Sequence, residues 1–190
     1  MLMDSINIIH YTSIESTNIS AIELLSNSSP IEGTVISAEF QSKGRGQIGR
    51  FWHSLPKLNL LFSTILYPTF LNSRQQFVIS QLVCVALIKT LQDMGVTAKI
   101  KWPNDLLINQ KIVAGVLTEM KSEGNKPEFI ILGIGLNINL KADQIKKNLP
   151  DISDSVTSLS IEKNAEINRE DVAVKLISHL DEYYLQFNIE

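Results

Sequence analysis

Cysteine is nearly absent from this 190-residue sequence, since Cys84 is the only one. A single cysteine cannot form an internal disulfide, and chains without disulfides are typical of a reducing compartment. Cys84 stands in the apolar run QLVCVALI, which predicts that it is buried as a small hydrophobic residue. Stability must therefore come from the core, for which 44% hydrophobic residues are ample.

Long apolar runs are also missing. The longest uncharged run, 58–73, contains Pro68 and is too short to span a membrane. The first ten residues have no lysine or arginine and include Asp4, which argues against a signal peptide. An isoelectric point of 5.7 with scattered basic residues argues against nucleic-acid binding. We expect a soluble cytoplasmic protein that acts neither on DNA nor at a membrane.

Charge is distributed unevenly along the chain, although the net charge is only −3. Residues 1–42 contain five acids and no lysine or arginine, whereas 43–111 contain nine bases and two acids. Residues 112–190 are acidic again, with eight bases and thirteen acids. A positive middle between acidic ends can attract an anionic ligand, although basic side chains that merely solvate strands and loops would give the same pattern.

Three segments have the apolar spacing and end signals of helices. In STNISAIELLSN, Ser16 or Thr17 is the predicted N-cap, and Ile19, Ile22 and Leu25 fall near one face. The second helix is predicted over 73–94 and the third over about 168–187. Their predicted end signals are Gly95 after the second helix and the capping pair Asn168 and Asp171 for the third.

Six further segments have the composition of strands: GTVISAEF, NLLFSTILY, TAKIKW, LLI, KIVAGVLTEM and FIILGIGLNI. Asn109-Gln110 predicts a tight hairpin turn, and KSEGNKP predicts a longer connection. Strands joined by hairpins, with helices at the start, middle and end, predict an α+β fold with a mostly antiparallel or mixed sheet packed against helices. We expect one domain over 1–190.

The stretch GRGQIGRFW, 44–52, contains a literal G-x-G-x-x-G. A dinucleotide-binding turn needs a helix directly after the glycines and an acid about 20 residues later. Here Pro56 and a β-rich run follow, and no acid occurs between Glu39 and Asp93. No Lys-Ser or Lys-Thr follows the last glycine, which excludes a Walker A loop. The segment instead predicts an anion-binding loop, with arginines and aromatic residues suited to a nucleotide.

A second polar segment, KWPNDLLINQKIVAG, extends over 101–115. Pro103 ends a strand, and Asn104 and Asp105 fill the turn that follows. Lys111 begins the return strand, so the hairpin could bring its ammonium back towards the Asp105 carboxylate. Such a cluster is what a phosphate and metal site needs, although Pro-Asn-Asp is also an ordinary turn.

Two more segments have small or polar residues that allow either a functional or a structural explanation. GIGLNIN, 133–139, has two glycines inside an apolar strand, which indicates either a close ligand or a bulge. ESTN, 15–18, places Ser16, Thr17 and Asn18 at a helix start, where capping is their usual role. The histidines, His10, His53 and His179, have no metal-binding spacing with Cys84 and indicate neither zinc nor Cys–His catalysis.

In this order the four segments resemble those of the biotin–protein ligase family, over roughly Ser16 to Asn139. GRGQIGRFW looks like its Gly-Arg-rich adenylate loop, KWPND followed by KIVAG like its second motif, and GIGLNIN like its third. ESTN matches the family's biotin-holding helix start. The resemblance implies a class II aminoacyl-tRNA synthetase-like catalytic domain with biotin–[acetyl-CoA-carboxylase] ligase activity.

The implied reaction has two steps. The biotin carboxylate attacks the α-phosphate of ATP, with Mg²⁺ present, and gives biotinyl-5′-AMP and pyrophosphate. A lysine of a biotin carboxyl carrier protein then attacks the mixed anhydride and releases AMP. Positioning and electrostatic stabilisation can drive this chemistry without a covalent enzyme intermediate.

The resemblance also implies roles for individual residues. Arg45, Lys111 and Asp105 are the expected catalytic residues, with Asp105 also near magnesium and a candidate base for the incoming lysine. Loss of the Lys111 contact should slow adenylate formation by roughly 10²–10³. The expected ligand contacts are Ser16, Thr17, Asn18, Gln41, Gly44, Arg45, Gly46, Gln47, Arg50, Trp52, Asn104, Lys111, Gly115, Gly133, Gly135 and Asn137.

Three departures from the family pattern have consequences. Gln47 stands where many relatives carry arginine, so the adenylate is expected to leak more readily. About ten residues precede the first strand, too few for the DNA-binding winged helix of some relatives. We expect the family's small C-terminal β-domain to be absent or truncated. A homodimer through a sheet edge is compatible with the sequence but not selected by it.

Two other functions stay open at this stage. A lipoate–protein ligase or octanoyltransferase shares the fold and the transfer to lysine, although KWPND and the arginine-flanked glycine loop favour biotin. A non-catalytic biotin or nucleotide sensor would bind ligand but release no pyrophosphate from ATP.

Overall fold

A seven-stranded sheet forms the centre of the computed structural model, which describes residues 7–47 and 49–189. Asp4 and Ile48, which entered the sequence arguments, lie outside the described residues. The strands are β1 (Ile8–Tyr11), β2 (Val35–Ala38), β3 (Asn59–Leu66), β4 (Lys99–Lys101), β5 (Asp105–Ile108), β6 (Lys111–Glu123) and β7 (Lys126–Asn137). The helices are α1 (Thr17–Asn27), α2 (Gln76–Asp93), α3 (Ala142–Asn148), α4 (Leu159–Lys163) and α5 (Arg169–Ile189).

The strand order is β1-β2-β3-β7-β6-β5-β4. Only β1 and β2 pair in parallel, and every other neighbouring pair is antiparallel. The predicted α+β class with a mixed, mostly antiparallel sheet is confirmed. The hairpins β4-β5, β5-β6 and β6-β7 follow one another along the chain, so local turns set the register over half of the sheet.

Alternation along the strands separates the core into two layers. Val35 and Leu66 face α2 and α5, whereas their neighbours Ile36 and Ile65 face α1. This follows from the two-residue period of a strand, which sends successive side chains to opposite faces. Cys84 lies fully buried in the larger layer, as predicted, and its burial raises its pKa to about 11.

The helix ends largely follow the predicted signals. A 3₁₀ turn, Ser73–Gln75, precedes α2, and Gly95 follows it with φ +74°. Asn168 Oδ1 accepts from the backbone N–H groups of Glu170 and Asp171 at 2.9 and 3.2 Å, which confirms the cap on α5. No helix within the described ranges is long and apolar enough to cross a membrane.

The buried face of α1 differs from the prediction. Its inward residues are Thr17, Asn18 and Ala21, whereas Ile22 is 37% exposed. The apolar spacing predicted that isoleucines fill the buried face of α1, but polar residues occupy part of that face. The reason is that the first turn of α1 adjoins a polar cavity rather than the core.

The connections and short elements show where sequence patterns were insufficient. Asn109 and Gln110, with φ 48° and 66°, form the predicted tight turn. The longer loop predicted at KSEGNKP is wrong, because only Gly124 and Asn125 separate β6 from β7. The polar residues there belong to exposed strand ends. The sequence analysis expected a first strand after about ten residues without giving its bounds, and β1 begins at Ile8; helices α3 and α4 were not predicted.

Candidate active site

A cavity of about 430 Å³ opens where the four polar segments meet. Most of the predicted contact residues line it, together with residues that were not predicted. The predicted ones are Ser16, Thr17, Asn18, Gln41, Arg45, Gly46, Gln47, Arg50, Trp52, Asn104, Asp105, Gly115, Gly133, Gly135 and Asn137. Segments separated by more than a hundred residues are thus adjacent in space. Gly44 and Lys111 are not part of this lining.

The start of α1 forms a buried polar end of the cavity. Ser16 occupies the N-cap position, but its side chain makes no capping hydrogen bond. Gln41 Oε1 instead accepts from the Thr17 N–H at 2.7 Å and lies 3.1 Å from the Thr17 hydroxyl. Ser16 is therefore at the N-cap position, but the prediction that its side chain caps the helix is wrong. Gln41 accepts the hydrogen bond from the helix N–H instead.

Ser63 on β3 extends this polar end and was not predicted. Its hydroxyl lies within hydrogen-bond distance of Thr17 Oγ1, at 2.7 Å, and of Asn18 Oδ1. It has one proton to donate, so the two acceptors share it. Deeper along the sheet, Asn137 Nδ2 donates to Thr157 O, and its Oδ1 accepts from Asn59 Nδ2 at 2.8 Å. The strand patterns gave no sign that buried serine and asparagine side chains would meet here.

The two glycines of GIGLNIN make room for side chains of the protein itself. A Cβ on Gly133 would lie 2.2 Å from Asn18 Oδ1, and one on Gly135 would lie 2.4 Å from the Trp52 indole. Gly115, paired with Gly135 across β6 and β7, also faces the indole. The bulge alternative fails at this position, since the register shift between these strands lies at Lys121/Ser122.

The Trp52 indole lies against Gly115 and Gly135, which form a glycine floor, and it lines the cavity. Its Nε1 is buried and has no hydrogen-bond partner among the described residues. A buried donor without an acceptor is costly, so this N–H is available to an acceptor on a ligand.

The glycine-rich segment folds as a small hairpin rather than as a turn into a helix. Trp52 N–H donates to Gly44 O at 2.9 Å, and Gly46 N–H donates to Arg50 O at 3.1 Å. A side chain on Gly44 would collide with Trp52 O, since its Cβ would lie 2.2 Å away. The glycines thus allow two backbone segments to lie close together. This agrees with the sequence evidence against a dinucleotide-binding fold.

Glu119 connects the hairpin to α1 and was missed. Its carboxylate lies 2.8 Å from the Arg45 guanidinium and accepts from Asn18 Nδ2 at 2.8 Å. Strand alternation could have revealed it, because Gly115, Leu117 and Glu119 project from the same side of β6. Arg45 and Arg50 are the only arginine or lysine side chains in the cavity lining, counted over the described residues.

Asp105 is half-buried and is the one acidic residue in the lining, within the part of the chain that is described. Burial raises its pKa, and the positive charges of Lys101 and Arg50 oppose this rise. Asn104 holds the turn in place, because its Nδ2 donates to Val116 O at 2.6 Å. The carboxylate therefore faces the cavity from a fixed turn.

Lys111 does not lie where the hairpin argument placed it. Asp105 pairs with Gly115, whereas Lys111 pairs with Ile108 next to the turn. The lysine is exposed, and its neighbour Ile112 lines the cavity instead. The expected proximity of Lys111 and Asp105 is wrong because the tight turn separates them along the hairpin. Its ligand contact and catalytic role stay predictions.

The structural roles predicted for the three histidines hold only in part. His10 and His179 are bonded to Ser37 and Asp93, in ordinary structural contacts. His53, which was given no role, lines the cavity. No group of three or more His, Cys, Asp or Glu side chains that could hold a metal occurs in 7–47 and 49–189.

The fold and this cavity define a class of protein: the chain belongs to the biotin/lipoate A/B protein ligase family, whose model matches residues 11–137. Among individual relatives, the bifunctional ligase/repressor BirA of Bacillus spizizenii is 38% identical over 159 residues. That match covers 83% of this chain and 48% of the relative. A biotin–[acetyl-CoA-carboxylase] ligase of Mycobacterium tuberculosis is 25% identical over 176 residues, or 90% of this chain and 62% of the relative.

A solved structure gives the same fold. The biotin protein ligase of Aquifex aeolicus, in complex with biotin and ATP, superposes with a TM-score of 0.81 at 28% identity. The superposition covers 97% of this chain and 72% of that protein. The chain spans about half the length of the BirA relatives that it matches.

Proposed function

We propose that this domain is an ATP-dependent biotin–protein ligase that makes biotinyl-5′-AMP and then biotinylates a lysine of a biotin carboxyl carrier protein. The observation that carries the proposal is the single cavity joining a buried polar end, a glycine floor and two arginines. Relatives named as biotin ligases, and a similar structure holding biotin and ATP, support it. We further propose that residues 1–190 contain the catalytic domain and act in the cytoplasm.

The polar end suits the ureido ring of biotin. That ring presents two N–H donors and a carbonyl acceptor, and the cavity end offers hydroxyl and amide groups of both kinds. Ser16, Thr17 and Asn18 are buried, and Gln41 and Ser63 hold the last two in place. The ligand would therefore meet groups that are already oriented, which reduces the entropic cost of binding.

The arginines suit the first half-reaction. A carboxylate oxygen of biotin attacks the α-phosphorus, an O–P bond forms, and the bond to the pyrophosphate oxygen breaks. Negative charge on the reacting oxygens must be balanced, and Arg45 and Arg50 bring guanidinium groups to the cavity. A guanidinium binds phosphate and carboxylate through two parallel hydrogen bonds, which positions the reactants as well as neutralising them.

Asp105 suits the second half-reaction. The lysine nitrogen attacks the acyl carbon, the bond from that carbon to the phosphate oxygen breaks, and AMP leaves. The attacking amine must lose a proton, and the Asp105 carboxylate lies at the cavity to accept it. Burial raises its pKa and so makes the carboxylate a stronger base than an exposed aspartate.

Magnesium fits the same carboxylate during the first half-reaction. Mg²⁺ bound to a nucleotide takes most of its ligands from phosphate and water and needs only one or two carboxylates from the protein. Asp105, with Asn104 beside it, would supply that donor, and the ion would neutralise phosphate charge. The two uses of Asp105 belong to successive steps, since the second requires neither ATP nor pyrophosphate.

The direct test is incubation with biotin, ATP, Mg²⁺ and a carrier domain, followed by mass analysis of the carrier. We expect one lysine to gain biotin, with no gain when ATP is omitted. Lipoate in place of biotin tests the nearest alternative, and thermal shifts add a binding readout. A ligand at 100 times its Kd stabilises by about 2.7 kcal/mol. Biotin binding without pyrophosphate release would indicate a sensor and contradict the proposal.

A further inference from the structure

A second cavity, of about 620 Å³, lies against the glycine hairpin. It shares part of its wall with the first cavity, including Arg45, Arg50 and Asn104. Its other wall comes from the start of α2, through Gln76, Phe77 and Ser80, and from Pro103. The two cavities are therefore neighbours across the hairpin and the 103–104 turn. The proposed roles of biotin and ATP leave the second one without a function.

Exposed aromatic side chains lie in and beside the lining of this second cavity. Phe51 and Phe77 line it, and Trp102, which is outside the lining, stacks on Phe77 with ring centroids 5.6 Å apart and planes 10° apart. Trp102 is 72% exposed, Phe77 43% and Phe51 73%. Large exposed aromatic groups gathered at one opening are unusual on a protein surface and mark sites of recognition. Their faces attract cations and cover aliphatic chains.

The interior of the second cavity is polar and contains a carboxylate. Glu119 and Thr118 line it, and the Thr118 hydroxyl is bonded to Ser80. Glu119 contacts Arg45 and Asn18 through different oxygens. A carboxylate has about four acceptor positions, so each oxygen can accept a further hydrogen bond. An ammonium group passing the aromatic mouth would thus reach a negative partner.

We propose that the second cavity admits the acceptor lysine of the carrier protein. Its aliphatic chain packs along Phe77 and Trp102, and its amine passes Glu119 to the acyl adenylate in the first cavity. The inference rests on the proposed function. We assign the cavity to a protein lysine because this side chain has a long aliphatic chain that suits the aromatic faces and a cationic end that suits the carboxylate. Arg45 and Arg50 belong to the wall shared with the first cavity, and among the described residues the unshared wall carries the Glu119 carboxylate and no further lysine or arginine for a triphosphate.

The test measures the two half-reactions separately in the full chain. Pyrophosphate release reports adenylate formation, and single-turnover transfer from purified biotinyl-5′-AMP to a carrier domain reports the second step. The variants are Phe77→Ala and Trp102→Ala, with Trp102→Phe as the conservative replacement. Phe187→Ala is the matched control, because Phe187 is a 46% exposed aromatic residue on α5, outside both cavity linings.

We expect each alanine variant to slow transfer by about tenfold, from the loss of an aromatic contact with the lysine. Pyrophosphate release should change by less than about twofold, as for ordinary surface substitutions. Trp102→Phe should recover most of the transfer rate, and Phe187→Ala should match the unaltered protein. A higher KM for the carrier, rather than for biotin or ATP, should accompany the loss.

Three results would overturn the inference, and they differ from one another. Unchanged transfer in both alanine variants would show that the lysine enters elsewhere. An equal loss of pyrophosphate release and transfer would assign the second cavity to ATP. Absence of pyrophosphate release from the unaltered protein would reject the proposed function, and the lysine route with it.

Discussion

The two ends of the proposed biotin site are built differently. At the start of α1, the side chains of Thr17 and Asn18 are buried and already hydrogen-bonded within the protein. In the glycine hairpin, Arg45, Arg50 and Phe51 are exposed, and Trp52 rests on a floor of glycines. One region is organised before a ligand arrives, and the other can rearrange around it. The contrast suggests that selection of the acid occurs at the buried end and charge neutralisation at the exposed end.

The largest expected effect comes from removing one of the hairpin's two arginines. Arg45→Ala should slow pyrophosphate release by about 10²–10³, because it removes a charge-assisted contact to the reacting oxygens. Lys43→Ala is the matched control, since Lys43 lies in the same segment but pairs with Glu15 at the surface. Steady-state pyrophosphate release checks both variants.

Lys111→Ala sharpens the same comparison. The family resemblance assigns Lys111 a catalytic contact, whereas the hairpin places it outside the cavity lining. The catalytic role predicts that pyrophosphate release slows by about 10²–10³, as for Arg45→Ala, and that the hairpin rearranges to bring Lys111 to the reactants. A change of less than about twofold, as for other surface substitutions, would remove that role.

A somewhat smaller effect is expected at the turn between the two regions. Asp105→Asn should slow transfer from preformed biotinyl-5′-AMP by about 10², if the carboxylate accepts the lysine proton. The transfer rate should rise with pH as Asp105 loses its proton. The midpoint of this rise should lie above the ordinary aspartate pKa of 3.8, because burial raises the pKa of Asp105. Transfer rates measured against pH without ATP or Mg²⁺ check this, and full transfer by the variant would remove the base role.

The same titration has a consequence for stability. A carboxyl whose pKa is raised by folding stabilises the fold at low pH, and that contribution is lost as pH rises through its folded pKa. At neutral pH the ionised, half-buried carboxylate is therefore unfavourable, and Asp105→Asn should unfold at a higher temperature than the unaltered protein. The difference should shrink on acidification, which thermal unfolding at several pH values measures.

The glycines separate the rigid region from the adaptable one. Gly133→Ala drives a Cβ into the Asn18 amide, which is held by Ser63 and Glu119. Overpacking of this kind costs about 1–3 kcal/mol. Gly135→Ala meets the Trp52 indole instead, which belongs to the exposed hairpin, so we expect a smaller loss of stability. Denaturant unfolding of both variants checks the order, and equal losses would contradict the contrast.

The smallest expected effect concerns Gln47, at the cavity edge. Gln47→Arg adds a guanidinium beside the predicted adenylate and should slow its release by a few-fold, about 1 kcal/mol, as for an exposed charge pair. The escape of biotinyl-5′-AMP into solution, measured without a carrier, provides the check. Unchanged or faster escape from the variant would contradict the placement of residue 47 beside the phosphate.

The sequence was informative where a local pattern sufficed. The strands, the α2 boundary at Gly95 and the tight turn at Asn109-Gln110 each follow from nearby residues. The short elements α3 and α4 were missed because helices of seven and five residues are too short to show periodicity. The buried face of α1 was wrong, since the residues that bury Asn18 come from distant strands.

The sequence motifs predicted which segments form the site, but they predicted less about how those segments are arranged in space. GRGQIGRFW and GIGLNIN identified segments that meet in space, although no spacing shows that Trp52 lies on Gly135. Ser63 was missed because it stands in an ordinary strand pattern and only its partners reveal it. Glu119 was missed although strand alternation places it on the same side of β6 as Gly115. Lys111 lies away from Asp105 because the two-residue turn at Asn109-Gln110 pairs Lys111 with Ile108 and Asp105 with Gly115.

A crystal structure of the chain grown with biotin and ATP tests the central claim most directly. We expect one acyl adenylate in the cavity, with its ring system against Thr17 and Gln41 and its phosphate within hydrogen-bond distance of Arg45. Density for biotin at any other place, or for a nucleotide that never approaches the glycine hairpin, would contradict the account.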